Sequence, residues 1–181
     1  MINKVVDLKI KGVKLFELNS FNDSRGSFSE IFLFKNNHKE FKLNYVQENE
    51  SISKFGVFRG MHFQKGKYSQ SKLIRVVNGS GIDFICDLRK SSKTYKELIQ
   101  INLDHKKLLF IPKGLAHGFL SLSENTILNY KCDNYYNNKY ESGFNIFDKE
   151  LDCKFPINKN KIIQSSRDKV LPSFNQCYKF I

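Results

Sequence analysis

The chain of 181 residues has no tryptophan, only four histidines and only four cysteines. The cysteines, Cys86, Cys132, Cys153 and Cys177, form no C-x-x-C pair and no disulfide-type cluster. That excludes a disulfide-stapled scaffold and leads us to expect reduced thiols in a cytosolic protein. No apolar stretch approaches the ~20 residues that a membrane helix requires. The segment from Met1 to Lys9 lacks an apolar core of signal-peptide length, so a soluble cytoplasmic protein with no membrane partner is expected. Acidic residues are also scarce: 18 Asp plus Glu stand against 30 Lys plus Arg, a net charge of +12. Such a balance favours an anionic partner, whether nucleic acid, membrane surface or phosphorylated metabolite. The basic residues are nevertheless scattered, with no run of five or more, and a genome-wide taste for Lys, Asn and Ile produces the same excess.

What the chain does have is period-two patterning. Val13 to Leu18, Ser27 to Phe34, Asn44 to Asn49, Val57 to Gln64, Lys72 to Asn78, Gly81 to Leu88, Leu98 to Leu103, Lys107 to Pro112, Gly118 to Leu122 and Thr126 to Cys132 all read as strands. They are rich in Val, Ile, Phe and Tyr and bounded by Gly, Asn, Ser or Lys. Asn78-Gly79-Ser80-Gly81 predicts a hairpin turn, because Asn and Gly tolerate the positive φ that tight turns require. Helical periodicity is confined to Lys35 to Phe41 and the C-terminal tail. With no linker, repeat or low-complexity tract, the expectation is one all-β domain, an antiparallel sandwich or barrel with short peripheral helices.

Chemistry-bearing residues gather in three places. In Gly56-Val57-Phe58-Arg59-Gly60-Met61-His62-Phe63-Gln64, strand alternation puts His62 and Gln64 on one face and Met61 and Phe63 on the other. Gln47, Asn49 and Ser51 share another strand face, and Lys72 and Arg75 follow. Three polar residues on one face normally mean solvent, but the apolar flanks here make an interior polar cavity a serious competitor. A second cluster runs from Phe21 through Arg25 and Phe28 to Glu30, and is equally readable as an ordinary charged turn with a surface ion pair. A third runs from His117, in Ile111-Pro112-Lys113-Gly114-Leu115-Ala116-His117-Gly118-Phe119, through Tyr130 and Tyr135-Tyr136 to Glu141.

Two chemistries compete for these residues. A metal site in a β-barrel usually gathers several histidines and a carboxylate. Here Gln64, a poor ligand, occupies the alternate position beside His62, while His38 and His105 lie in polar, loop-like surroundings. Proton chemistry suits the set better. His62 titrates near neutrality and can act as a base. Tyr130 can hand a proton to a carbanion, and a buried Lys72 can stabilise an oxyanion beside a carbonyl. Base, acid and cation together suit proton abstraction α to a ketone through an enolate. Each residue alone also fits a structural role: hydrogen-bonded core histidines, a packed tyrosine and a surface lysine.

At these residues the sequence resembles the dTDP-4-dehydrorhamnose 3,5-epimerase family, cupin-fold epimerases of nucleotide-linked 4-keto sugars. The resemblance runs from Phe21 to about Asp168, through Phe21-to-Glu30, Gln47-Glu48-Asn49, Gly56-to-Gln64, Lys72-to-Val76, Asp83-to-Arg89, Ile111-to-Phe119 and Asn129-to-Tyr136. It implies a cupin-type antiparallel barrel or jelly roll. His62 would be the base, with Asp168 as the carboxylate orienting it. Tyr130 would be the acid on the opposite face, and Lys72 would steady the enolate oxygen. Arg59, His117, Gln47, Asn49, Glu141 and Arg167 would bind substrate, with Arg59 suited to bidentate phosphate contacts, and Tyr136 would stack on the base of the nucleotide. Arg25 and Glu30 match residues that cross from a neighbouring subunit, which implies a homodimer. No metal or organic cofactor is implied. The substrate would be a dTDP- or GDP-linked 4-keto sugar, either a 6-deoxyhexose or a heptose, inverted at C3, C5 or both. Within the same family a ketoisomerase is another reading, and outside it a non-catalytic basic barrel that binds nucleic acid or glycan. Met61 stands where the family usually has leucine, and Arg167 where it has lysine.

Overall fold

The computed structural model describes residues 2–32 and 44–181. Its strands are β1 (Ile2–Asp7), β2 (Lys14–Leu18), β3 (Phe21–Asp23), β4 (Gly26–Phe28), β5 (Gln47–Ser53), β6 (Phe58–Gln64), β7 (Lys72–Asn78), β8 (Gly81–Asp87), β9 (Leu98–Leu103), β10 (Lys107–Ile111), β11 (Leu115–Ser121), β12 (Thr126–Cys132) and β13 (Glu141–Gly143). A six-stranded sheet in the order β1-β2-β10-β7-β12-β5 faces a five-stranded sheet in the order β13-β6-β11-β8-β9, and β3 and β4 form a separate hairpin. All strand pairings are antiparallel, so the cupin-type all-β architecture holds. Among the described residues the one α-helix is α1 (Ser166–Lys169), shorter than the helical tail the sequence suggested. The helix expected over Lys35 to Phe41, together with His38, lies outside the described residues.

Alternation sorts the side chains into three apolar layers. Ile74, Val76, Ile85, Leu109, Ile111, Leu115, Phe119 and Leu128 fill one part of the interior between the sheets. Phe58, Met61, Phe63, Phe84, Cys86, Ala116 and Leu120 point outward from the five-stranded sheet and are covered by Phe144, Ile146, Phe155 and Phe174. Phe16, Leu18, Leu73, Leu108 and Phe110 form the outer face of the six-stranded sheet, against Ile31, Phe32 and Tyr45. This explains why β8 is buried along its whole length: both of its faces meet apolar layers. Each large side chain sealed in this way contributes on the order of 2 kcal/mol relative to an exposed one.

Several sequence expectations need correction. Asn78-Gly79-Ser80-Gly81 turns the chain, with Gly79 at φ +81°, but it does not close a hairpin: β7 and β8 belong to different sheets. The turn is a corner, held by the Ser80 N–H donating to Ser123 Oγ at 2.9 Å. Strand β5 begins at Gln47 and runs on to Ser53, and β11 starts three residues earlier than expected, at Leu115, just past the Pro112–Gly114 turn. Of the strand expected from Ser27 to Phe34, the described part is strand only in the short β4, with residues 33 and 34 outside the described residues, and β1, β3 and β13 were not anticipated.

Strand β6 is irregular in a way that shapes the interior. Against β11 it pairs His62 with His117 but Arg59 with Phe119, so it carries one residue more than its partner. This bulge cancels one step of alternation, and Arg59 and His62, three apart, reach the same cavity. Gly60 makes the close approach possible. At φ +127° a Cβ there would sit 2.5 Å from the Cα of Gly118 and 2.8 Å from the carbonyl oxygen of His117.

Candidate active site

A cavity of about 700 Å³ opens between the sheets. The six-stranded sheet lends it Gln47, Asn49 and Ser51 from β5, Lys72 from β7 and Tyr130 from β12. The five-stranded sheet lends Arg59, His62 and Gln64 from β6, His117 from β11 and Glu141 from β13. Tyr136, Arg167 and Asp168 complete the wall.

His62 Nε2 lies 2.6 Å from Asp168 Oδ1, across 106 residues of chain. Two local devices bring them together. Ile163 bridges to Val57, with its N–H donating to the Gly56 carbonyl at 2.9 Å, so the incoming segment runs along the start of β6. Ser165 then caps α1, its Oγ accepting from the Asp168 N–H at 3.1 Å. Burial alone raises the affinity of Asp168 for a proton. His62, with help from Ser165 and the Gly60 N–H, outweighs it and holds the carboxyl below its usual range.

Opposite His62, and paired with it in register, His117 is sealed in the interior. Its Nε2 is 2.8 Å from Lys72 Nζ, and its Nδ1 is 3.4 Å from Asp83 Oδ2. Burial first, then the influence of Lys72 and His62, push His117 well below the ordinary histidine value, so at neutral pH the imidazole is neutral. Burial also lowers Lys72, against the pull of Cys132, Asp83 and Glu141. Tyr130 lies beside the lysine, with Nζ 5.5 Å from its ring centroid. Burial, Cys132 and Glu141 raise its phenol, which therefore stays protonated well into the alkaline range.

The rest of the wall is tied together by hydrogen bonds. Arg59 donates to Ser53 Oγ at 3.0 Å and to the Ile52 carbonyl at 3.1 Å, which aims its guanidinium along the β5 side. Gln47 donates to Asn49 Oδ1 at 3.0 Å and accepts from the Tyr136 N–H at 2.8 Å. Glu141 accepts from the Tyr136 hydroxyl and pairs with Arg167. Burial opposes its ionisation, but Arg167 and Tyr136 prevail and keep it a carboxylate. Among the described residues no three histidine, cysteine or carboxylate side chains converge as a metal shell.

A family model for dTDP-4-dehydrorhamnose 3,5-epimerase matches residues 7–176. This chain belongs to that family. The dTDP-4-dehydrorhamnose 3,5-epimerase of Methanothermobacter thermautotrophicus is 38% identical over 172 residues, covering 92% of this chain and 91% of the relative. Among solved structures, the enzyme of the same name from Elizabethkingia anophelis superposes with a TM-score of 0.87 at 37% identity, over 97% of this chain and 98% of the other. The dTDP-6-deoxy-D-glucose-3,5-epimerase of Legionella pneumophila, solved in complex with dTDP-4-keto-L-rhamnose, does so with a TM-score of 0.90 at 31% identity, over 97% and 94%.

Eleven of the thirteen residues singled out from the epimerase sequence line the one cavity: His62, Tyr130, Asp168, Lys72, Gln47, Asn49, Arg59, His117, Tyr136, Glu141 and Arg167. Arg25 and Glu30 do not. Arg25 sits on the β3–β4 turn in a salt bridge with Asp23 at 2.6 Å, and Glu30 follows that hairpin. The sequence reading missed Ser53 and Ser165, which hold Arg59 and Asp168, and Asp83, which contacts His117. Only Asp83 left a trace in the sequence: with Asp87 it is one of two carboxylates inside the otherwise apolar run from Gly81 to Leu88.

Proposed function

We propose that this epimerase inverts C3 and C5 of a dTDP-linked 4-keto-6-deoxy sugar by successive proton abstraction and return through enolates. One observation carries the reading. His62 reaches the cavity from the five-stranded sheet and Tyr130 from the six-stranded sheet, so a sugar ring between them has a base on one face and an acid on the other. With its Nε2–H held by Asp168, His62 takes the proton on the carbon next to the ketone at Nδ1, and the electron pair of that bond moves onto the keto oxygen. The Lys72 ammonium stabilises the oxygen as it becomes an enolate. The Tyr130 hydroxyl then delivers a proton to the opposite face of the same carbon, the pair returns to the carbonyl, and the centre is inverted. C3 and C5 both neighbour the C4 ketone, so one pair of groups serves both.

The rim suits a nucleotide diphosphate. Arg59 and Arg167 supply cations for a pyrophosphate, and Tyr136, about half exposed, offers a ring face to a base. The second copy of a homodimer is a further part of this reading. Phe21 and Phe28 pair across the β3–β4 hairpin and are 55% and 69% exposed. A hairpin carrying two bare rings and Arg25 is suited to the mouth of a partner's cavity. Four free cysteines accord with a reducing cytoplasm, and no helix among the described residues is long and apolar enough to cross a membrane.

Incubation in deuterated water tests the chemistry. With dTDP-4-keto-L-rhamnose, mass spectrometry should find deuterium at both C3 and C5, and a GDP-linked analogue should exchange far more slowly. The Tyr130→Phe variant should still exchange one position while completed inversion falls by about 10²-fold. No exchange with either nucleotide would end the epimerase reading, and faster exchange with the GDP sugar would reassign the nucleotide.

A further inference from the structure

Asp83 sits on β8 with its side chain fully buried between the sheets. Its neighbour on the same face of the same strand, Asp87, is equally buried and shows how a structural carboxylate is satisfied. Asp87 receives Arg89 Nε at 2.9 Å and Arg89 Nη2 at 2.8 Å, the Arg89 N–H at 3.0 Å and the Thr94 hydroxyl at 2.7 Å. Burial notwithstanding, these bonds keep it below its usual range. Asp83 has none of this. One oxygen faces His117 Nδ1 at 3.4 Å, and the other, Oδ1, is buried without a hydrogen-bond partner. An unsatisfied buried carboxylate costs stability, so a purely structural explanation is a poor one.

The chain of contacts from Asp83 leads to the cavity. Lys72 Nζ has protons to donate and His117 Nε2 is 2.8 Å away, so Nε2 is the acceptor and the single proton of the neutral imidazole is on Nδ1, facing Asp83. We propose that Asp83 is a positioning residue: its carboxylate fixes the His117 tautomer and, through that ring, holds the Lys72 ammonium charged and aimed at the keto oxygen. This rests on the reading of Lys72 as the cation at that oxygen. The groups facing Lys72 are His117 from β11, Asp83 from β8, Cys132 and Tyr130 from β12, Glu141 from β13 and, beyond His117, His62 from β6. Asp83 and Glu141 are the carboxylates among them. Glu141 is already committed to Arg167 and Tyr136, which leaves Asp83 as the counter-charge of the lysine. Burial raises Asp83 well above the ordinary carboxylate value and Lys72 pulls it back down, so the two charges sustain each other, and Asp83, after Cys132, pulls Lys72 upward against burial. Removing the charge therefore lets the ammonium lose its proton at lower pH.

Three measurements decide it, all on the full chain with dTDP-4-keto-L-rhamnose exchange as the activity. In the wild type, ¹⁵N shifts of His117, assigned against His117→Gln, should show a protonated Nδ1 and a bare Nε2. A protonated Nε2 overturns the proposal, and this reading needs no variant to fold. Asp83→Asn keeps the size and an acceptor oxygen but not the charge. It should lower kcat by about tenfold or more with KM within about twofold, and move the alkaline limb of the kcat profile about one unit toward neutral pH. Wild-type kcat and an unmoved limb overturn the proposal, whereas a limb that stays put while KM rises assigns Asp83 to packing and overturns it too. Lys72→Met separates the two readings. If it is inactive while Asp83→Asn behaves as wild type, only the role of Asp83 falls; if it retains full activity, the role of Lys72 falls first.

Discussion

The cavity holds two histidine–aspartate pairs side by side, His62–Asp168 and His117–Asp83, whose histidines face each other in one strand register. They differ in contact with solvent and in what else they touch. The His62 side chain is 27% exposed and its aspartate is capped by a serine and a backbone N–H. His117 is 11% exposed, its aspartate fully buried and half satisfied, and its outer nitrogen occupied by a lysine. The same two residue types are thus placed for different work. A pair open to the cavity, with an ionised carboxylate behind it, can take a proton from a substrate. In the sealed pair burial keeps the imidazole neutral while Asp83 and Lys72 offset the burial of each other's charge, which suits it to orienting the lysine beside it. Residue identity does not distinguish base from spacer; access and the third partner do.

The contrast can be broken most directly at the two histidines. His62→Ala should cut deuterium exchange by on the order of 10³-fold or more, because the other basic groups of the wall are engaged, His117 with Lys72 and Glu141 with Arg167 and Tyr136. His117→Ala should cost about ten- to a hundredfold, through a lysine left without its acceptor. Equal losses in the two variants would show that the pairs are not specialised. A smaller effect sharpens the open pair alone: Asp168→Asn, which keeps the shape but not the charge, should lower kcat by about 10²-fold with KM little changed. An unchanged kcat there would mean that His62 needs no carboxylate. The gentlest test is a pH profile of the wild type. Lys72 is depressed from the ordinary 10.5 by burial whereas the Tyr130 phenol is raised. The alkaline fall in rate should therefore come below the usual lysine range and vanish from the profile of Lys72→Arg. A fall at or above the ordinary tyrosine range would reassign that limb to Tyr130.

Much of this was legible from the chain. The bounds of β7, β9 and β12 follow directly from alternation, because in each an apolar face meets a packed layer. The reading weakened where the buried face is polar. β5 buries Gln47, Asn49, Ser51 and Ser53 more than the exposed Glu48, Glu50 and Ile52 between them, so it shows no apolar period and its second half was lost. β13, three residues on a sheet edge, was invisible for the same reason. Alternation put His62 and Gln64 on one face and Met61 and Phe63 on the other, as observed, but it could not reveal that a bulge brings Arg59 round to join them. The Asn-Gly-Ser-Gly turn had the right residues for a hairpin and serves as a corner, since turn chemistry sets the local φ and not which strand lies opposite.

By itself the sequence determined the all-β class and the antiparallel architecture, because strand period and turn residues are local properties carried by composition and spacing, whereas the roles of the site residues were implied by the family resemblance. Only the tertiary structure decided how these residues converge and that His117 meets Asp83. His62 finds Asp168 across 106 residues and His117 finds Asp83 across 34. Proton affinity in a closed cavity depends on burial and neighbouring charge, and both arise only when two sheets close around the same space.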